Sequence, residues 1–415
     1  MLENTVIVQD GDSCGGILDT DLQDFITHLR GAGYAQRTLR KKRSVLRAFT
    51  RWSRRRKWPV AALSEFHVES FLARSPRKRQ AHKAFESAAL RPFLDHLRRT
   101  GRVATTAPPV RDTPTFEWEQ RYVHFLRDQR GLAERSVQVY APHVHDLLLD
   151  LVTKHGSADP RELNPEMVHH FLLQRAQGRS SEWARLLAAA LRSFFRFLHY
   201  RGETAIDFSV CVPTVRKWRL ATVPAHLAPA DVERALSVPD RATAHGRRDY
   251  AVLLLLARLG LRAGEVVALD LGDILWRTGE IIVHGKGGRR DHLPLPVDVG
   301  EAIVDYLRTG RGTSASRRVF LRSLAPHVAL TGPAAIGHIV RKVLARAGIS
   351  RLGRGAAHLF RHGLASRMIQ HGANLSEIAE VLRHRSQGTT EIYAKVDLPS
   401  LREVARPWPG TGGGR

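Results

Sequence analysis

From Leu18 onward the chain alternates apolar and polar positions with the spacing of one helix face. Leu22, Phe25, Ile26 and Leu29 form one stripe, and Gly31 and Gly33 interrupt it. The next stripe carries Leu39, Val45, Leu46 and Phe49, and two more helical stretches run from Leu63 to Leu72 and from Phe85 to Leu97. Residues 1–17 are polar and Gly-containing, which predicts a flexible tail.

The same pattern then returns. Arg37-Thr38-Leu39 answers Arg135-Ser136-Val137, and Leu63, Val68, Phe71 and Leu72 answer Leu163, Val168, Phe171 and Leu172. Ala89-Leu90, Phe93, Leu97 and Gly101 answer Ala190-Leu191, Phe194, Leu198 and Gly202. The period is close to 100 residues, too long for a solenoid repeat. It predicts two copies of one helical domain, 18–105 and 115–206. A Pro-containing linker, 106–114, separates them, and a second linker, 207–225, follows.

A different pattern begins at His226. Leu227-Ala228-Pro229-Ala230-Asp231 opens a helix with Pro near its first turn. Asp249–Leu259 predicts a buried helix. Glu280–His284 and Asp291–Leu295 predict two short strands joined at Gly285-Lys286-Gly287-Gly288. Helices are expected around Val299–Leu307, Ala334–Ala347, His358–Gln370 and Leu375–Leu382. The fold class is mainly α, with two helical N-terminal domains and a mixed, mostly α domain over 226–406 that carries a small antiparallel sheet. Residues 407–415, rich in Pro and Gly, predict a disordered end.

Charge narrows the function. The chain has 415 residues with 65 Lys and Arg against 40 Asp and Glu, a formal net charge of +25. So many cations on one chain attract a polyanion. Arg outnumbers Lys, which suits bidentate phosphate contacts, although a G- and C-rich genome also inflates Arg. The densest run, Arg37 to Lys57, includes Arg40, Lys41, Lys42, Arg43, Arg54, Arg55 and Arg56. Charge of one sign over several turns repels itself without a partner, so this helix predicts a DNA-backbone contact rather than a merely solvated face. Arg216 and Lys217 suit a strap along DNA. Two cysteines, Cys14 and Cys211, argue against a disulfide framework and a Cys-rich zinc site. No apolar run reaches membrane-spanning length and no signal-peptide pattern opens the chain, so a cytoplasmic protein without a membrane partner is expected.

The candidate chemistry lies between His358 and Tyr393. His358 and Arg361 are three apart and share one helix face, so a titratable imidazole and a fixed guanidinium can reach one phosphate. Alone, such a pair is usually a solvated helix face. His358 and His362, four apart, could hold a metal, but HExxH needs a Glu where Leu359 stands, and no metal is expected. His384 closes the next helix. Tyr393 follows a short polar loop from which a nucleophile could enter a pocket. Upstream, Arg262 and Glu265 follow a buried helix, and Lys286 sits at a hairpin tip.

Taken in order, Arg262, Lys286, His358, Arg361, His384 and Tyr393 resemble the tyrosine recombinase (phage integrase) family. The motifs are Gly-Leu-Arg-x-x-Glu at Gly260–Glu265, Gly-Lys-Gly…Arg…Pro-Leu at Gly285–Leu295, His-x-x-Arg-His at His358–His362, and Leu-x-His…Thr-Thr…Tyr at Leu382–Tyr393. The N-terminal helical domains resemble the family's core-binding, SAM-like domain, present twice. Gly264 stands where Ser is common, and Arg383 where Gly is usual before the His384 box, with Arg385 after it. Arg289, Arg290, Arg383 and Arg385 add charge beside the site as DNA contacts.

The resemblance implies a site-specific recombinase that needs neither ATP nor a cofactor. Tyr393 would attack a DNA phosphate, leaving a 3′-phosphotyrosine and a free 5′-hydroxyl. Arg262 and Arg361 would clamp the transition state, with His384 as a further donor. Lys286 would protonate the leaving 5′-oxygen, and His358 would move protons at the Tyr393 oxygen or the phosphate. Glu265 would orient these groups. The resemblance also implies a homotetramer on two DNA duplexes, exchanging a C-terminal helix for which Leu401–Ala405 is the candidate, with partner recombinases or accessory proteins open. The doubled helical region points to a mobile element. The rival readings are type IB topoisomerase-like relaxation, a non-catalytic DNA-binding protein and a metal-dependent nuclease, the last disfavoured because the chain lacks clustered carboxylates.

Overall fold

The computed structural model describes residues 14–74, 80–104, 113, 115–215, 225–285, 288–349, 355–384 and 387–396. The first helical stretch folds as α1 (Cys14–Gly31), α2 (Gln36–Arg55), α3 (Glu65–Ala73) and α4 (Gln80–Arg99). Helix α1 thus starts inside the expected tail. Leu22, Phe25, Leu46, Phe49, Phe71 and Phe93 close its core, with Phe49 edge-on to Phe71 at 5.2 Å. Ser64 caps α3 in a reciprocal box with His67.

The second stretch repeats the order as α5 (Phe116–His124), α6 (Glu134–His155), α7 (Pro165–Ala176) and α8 (Ser181–Tyr200). Corresponding residues are buried in both bundles: Leu63 and Leu163, Phe71 and Phe171, Phe93 and Phe194, Leu97 and Leu198. Short 3-10 turns, Val60–Ala62 and Pro160–Glu162, precede α3 and α7 at the same 100-residue offset. Phe208 and Val212 pack into the second core, so the start of the expected linker 207–225 belongs to this bundle. Contacts divide the chain into two compact units, Thr106–Ala221 and Met1–Thr105 with Thr222–Arg415.

The C-terminal half is built on α10, whose residues Ala251–Ala257 are all buried. It follows α9 (Pro229–Leu236) and spans Ala244–Arg258, capped by the Thr243 hydroxyl. Next come α11 (Ala263–Ala268), β1 (Ile274–Leu275), β2 (Glu280–His284), β3 (Arg290–Pro294) and α12 (Val297–Asp305). The strands pair antiparallel in the order β1-β2-β3. In β2, Ile281 and Val283 point into the core while Ile282 is half-exposed, the alternation of a sheet with one covered face. The register pairs Ile282 with His292, and β3 starts one residue earlier than expected. Then follow α13 (Pro333–Arg346), α14 (Ala356–Gln370), α15 (Leu375–Val381), α16 (Gln387–Thr390) and a 3-10 turn over Glu391–Val396. No helix among the described residues is long and apolar enough to cross a membrane.

Candidate active site

Four pieces of chain meet at the C-terminal ends of α10 and α15. Gly260 takes φ +57°, which turns the chain out of α10 and makes Arg262 the N-cap of α11. A Cβ there would lie 2.8 Å from Leu382 Cδ2 and 3.0 Å from Leu364 Cδ2, so the turn must be bare for α10, α14 and α15 to close. Arg361, on α14 and 3% exposed, stitches them together. Its Nη1 donates to the Gly260 carbonyl at 2.6 Å and its Nη2 to the Leu382 carbonyl. Burial and the nearby guanidiniums of Arg262 and Arg383 lower its pKa to about 10, so it stays charged at neutral pH.

Glu265 is the buried counter-charge. One oxygen accepts from Arg262 Nη1 at 2.7 Å, and the other accepts from the Arg262 backbone N–H at 2.8 Å and from Arg383 Nη2 at 2.9 Å. Two cations held by one carboxylate leave net positive charge beside a cleft of about 600 Å³. Arg262, Glu265, His284, Arg289, His358, Arg383, His384 and Thr389 are among its lining. His284 is held by Asp273 at 2.7 Å. Arg289 is exposed, donates to Asp291 at 2.6 Å, and is followed by exposed Arg290. Gly285 also lines the cleft, so both described flanks of the hairpin tip border it.

The histidines divide the remaining work. His358 reaches solvent on the cleft, where desolvation by its walls and the charges of Arg361 and Arg262 lower its pKa. His384 Nδ1 lies 2.7 Å from the Thr390 hydroxyl, and its ring is parallel to that of Tyr393 with centroids 6.2 Å apart. His362, one turn beyond His358 on α14, is the partner of the phenol: Nδ1 lies 2.7 Å from Tyr393 Oη. Burial first, then the neighbouring His358 and Arg361, lower the His362 pKa to about 4; burial and nearby Arg361 and Arg262 do the same for His384. Burial raises Tyr393 to about 12. All three groups are therefore neutral at pH 7.

Several expectations change. The stretch before Tyr393, expected as a short polar loop, includes helix α16 and the start of a 3-10 turn, and Tyr393 in that turn is 1% exposed. Its oxygen is bonded to His362 rather than His358. The spacing of four that puts His362 on the face of His358 suggests only a metal pair in the sequence; the contact with Tyr393, 31 residues on, is what gives His362 its place in the site. Arg383, expected as added charge at the surface beside the site, is instead buried and ion-paired to Glu265. Lys42 is no DNA contact: it is buried, donates from Nζ to the Ala88 carbonyl at 2.6 Å, and desolvation lowers its pKa. Lys286, Arg385, Arg216, Lys217 and the candidate exchange helix Leu401–Ala405 lie outside the described residues, as do 1–13 and nearly all of the linker 106–114.

The other cations of α2 and its C-cap lie at the surface. Arg37, Arg40, Lys41, Arg55 and Arg56 are exposed, Arg43 donates to Gln23, and Arg54 pairs with Asp19 at 3.5 Å. Arg40, Arg43, Arg47, Arg51 and Arg54 line a groove of about 800 Å³ between α1 and α2.

A model described as "Phage integrase family" matches residues 225–398, and one described as "Phage integrase, N-terminal SAM-like domain" matches 6–57 and 120–202. A Sinorhizobium fredii protein named as an integrase/recombinase, y4rA, is 41% identical over 93% of both chains. Tyrosine recombinase XerD of Listeria innocua is 28% identical over 68% of this chain and 95% of its own. Among solved structures, XerH bound to palindromic difH substrate aligns with TM-score 0.57 at 18% identity, covering 71% of this chain and 97% of that one. It shares the fold.

Proposed function

The chain belongs to the phage integrase family, as a DNA-binding site-specific recombinase that cleaves and rejoins DNA, and on that premise we propose that Tyr393 is its nucleophile. The observation that carries the assignment is that the Tyr393 phenol meets His362 and lies beside the ring of His384, and His384 in turn lines one positively charged cleft with Arg262, Glu265 and His358.

In this reading a DNA phosphate enters the cleft and Tyr393 Oη bonds to phosphorus as its proton passes to the neutral His362 imidazole, 2.7 Å away. The P–O5′ bond breaks, leaving a 3′-phosphotyrosine and a 5′-hydroxyl. Arg262 faces the nonbridging oxygens, its fork aimed by Glu265. Arg361 supports the same charge through N–H groups not committed to Gly260 and Leu382. His384 donates a further hydrogen bond, Lys286 protonates the 5′-oxygen, and His358 serves the phosphate from the cleft side. His362 orients the phenol, a role that its 2.7 Å contact supports better than it supports His358. Attack by a second strand's 5′-hydroxyl reverses the step and returns the proton to Tyr393. The bond energy stays in the phosphotyrosine, so no ATP is consumed.

The finer organisation is also proposed: helical DNA-binding domains at 18–105 and 115–206, a catalytic domain at 226–406, a homotetramer on two duplexes, and action in the cytoplasm on a mobile element. The exposed arginines of α2 support backbone contact by the first bundle. The test is a nicked duplex recovered from a randomised library by its capture on the wild-type chain. Wild type should form an adduct stable in denaturing gels and Tyr393→Phe none; an adduct of equal yield in the variant overturns the assignment.

A further inference from the structure

Arg383 stands at φ +53°, a left-handed backbone that Gly adopts freely and a side chain rarely does. The chain holds an arginine there, and the side chain is more than nine-tenths buried. Its Nη2 donates to Glu265 at 2.9 Å. Its Nε has only a loose ion pair, 4.0 Å from Asp291 Oδ2, and neither Nε nor Nη1 has a hydrogen-bond partner. Both are also shut off from solvent. A buried guanidinium with donors to spare is unfavourable unless an acceptor arrives.

The acceptor is suggested by position. Arg383 lines the same cleft as Arg262, His358 and His384, and shares the Glu265 carboxylate with Arg262. Glu265 therefore sets two guanidiniums side by side. We propose that Arg383 is a third guanidinium of the phosphate clamp, a catalytic residue whose free donors meet a nonbridging oxygen of the scissile phosphate. The inference rests on the reading of this cleft as the strand-cleavage site.

The test uses the full chain and the duplex captured by wild type, with the scissile phosphate mapped and then replaced by a methylphosphonate, which lacks one charged oxygen. Arg383→Gly suits it because Gly tolerates φ +53°, and equal thermal melting with wild type checks the fold; Arg383→Lys keeps a charge and serves if the glycine variant melts early. Single-turnover adduct formation on the phosphate should slow about 100-fold in Arg383→Gly, the scale of losing one preorganised donor. On the methylphosphonate the same substitution should change the rate by less than about threefold, because the contact is already gone. Equal losses on both substrates overturn the proposal and make Arg383 a mere prop for Glu265; no loss on the phosphate overturns it outright. If wild type and Tyr393→Phe give equal adduct, the cleft reading itself has failed.

Discussion

Replacing His362 by Gln should flatten the acid limb of stability. Gln can still accept the phenol proton but does not titrate. The wild-type imidazole has a pKa of about 4 in the fold against an ordinary value of 6.5. Between those values the unfolded chain binds a proton that the folded chain refuses, so stability falls as pH drops from 6.5 to 4. Above pH 6.5 the group contributes nothing, and below 4 the loss is complete. The shift of about 2.5 units corresponds to about 3.4 kcal/mol; partial solvent access to the ring reduces the working figure to about 2 kcal/mol. Burial, the main cause of the His384 shift, is common to both proteins, and only the smaller effect of the His362 charge on His384 is lost in the variant. The assay is urea unfolding at pH 7.5, 5.5 and 4.5, with hydrogen exchange in peptides of α14 reporting the unit that contains His362. The variant should lose about 1.5 kcal/mol less than wild type between pH 7.5 and 4.5, where about three quarters of the effect has developed. A packing defect would appear as an offset equal at every pH. A difference that does not change with pH refutes the claim that His362 is held neutral against Tyr393.

Other perturbations test separate parts. Lys286→Ala should slow cleavage of ordinary DNA, and a 5′-bridging phosphorothiolate should restore the rate because sulfur leaves without a proton; equal slowing on both substrates removes Lys286 as the acid. Gly260→Ala must adopt φ +57° and push Leu382 and Leu364 aside, and should cost about 2–4 kcal/mol in urea melts; a loss below 0.5 kcal/mol, an approximate threshold from surface substitutions, contradicts the packing argument. Neutralising Arg40, Arg47 and Arg51 should reduce the slope of log affinity against log salt by about two to three if all three meet phosphates. An unchanged slope removes the α1–α2 groove from the DNA interface.

Much of this was legible from spacing. The strand Glu280–His284 and the helices over α13, α14 and α15 followed from period alone, and the repeat followed from Leu63, Phe71 and Phe93 recurring about 100 residues on. The paired strand β1 was missed because two residues cannot show alternation. Lys42 was misassigned for a different reason. It lies three residues after Leu39 and four before Leu46, on the apolar stripe, so helical phase turns it inward even though the residues around it are charged. Arg383 and Tyr393 depend on contacts across more than 100 and 30 residues respectively, with Glu265 and His362. No local pattern encodes such pairings, and the polar Thr389-Thr390-Glu391 sequence before Tyr393 disguised a turn that buries its ring. Sequence order singled out the candidate groups, but only the folded chain places a histidine against the phenol.

The most direct measurement is the chemistry of the protein–DNA bond. An adduct trapped on the captured duplex is digested with trypsin and nuclease and read by tandem mass spectrometry, and the released DNA end is tested for phosphorylation by a kinase without prior phosphatase treatment. The account predicts a nucleotide attached through its 3′-phosphate to the peptide containing Tyr393, and a 5′ end that accepts label at once. A nucleotide on any other residue, or a released end that already carries a 5′-phosphate, contradicts it.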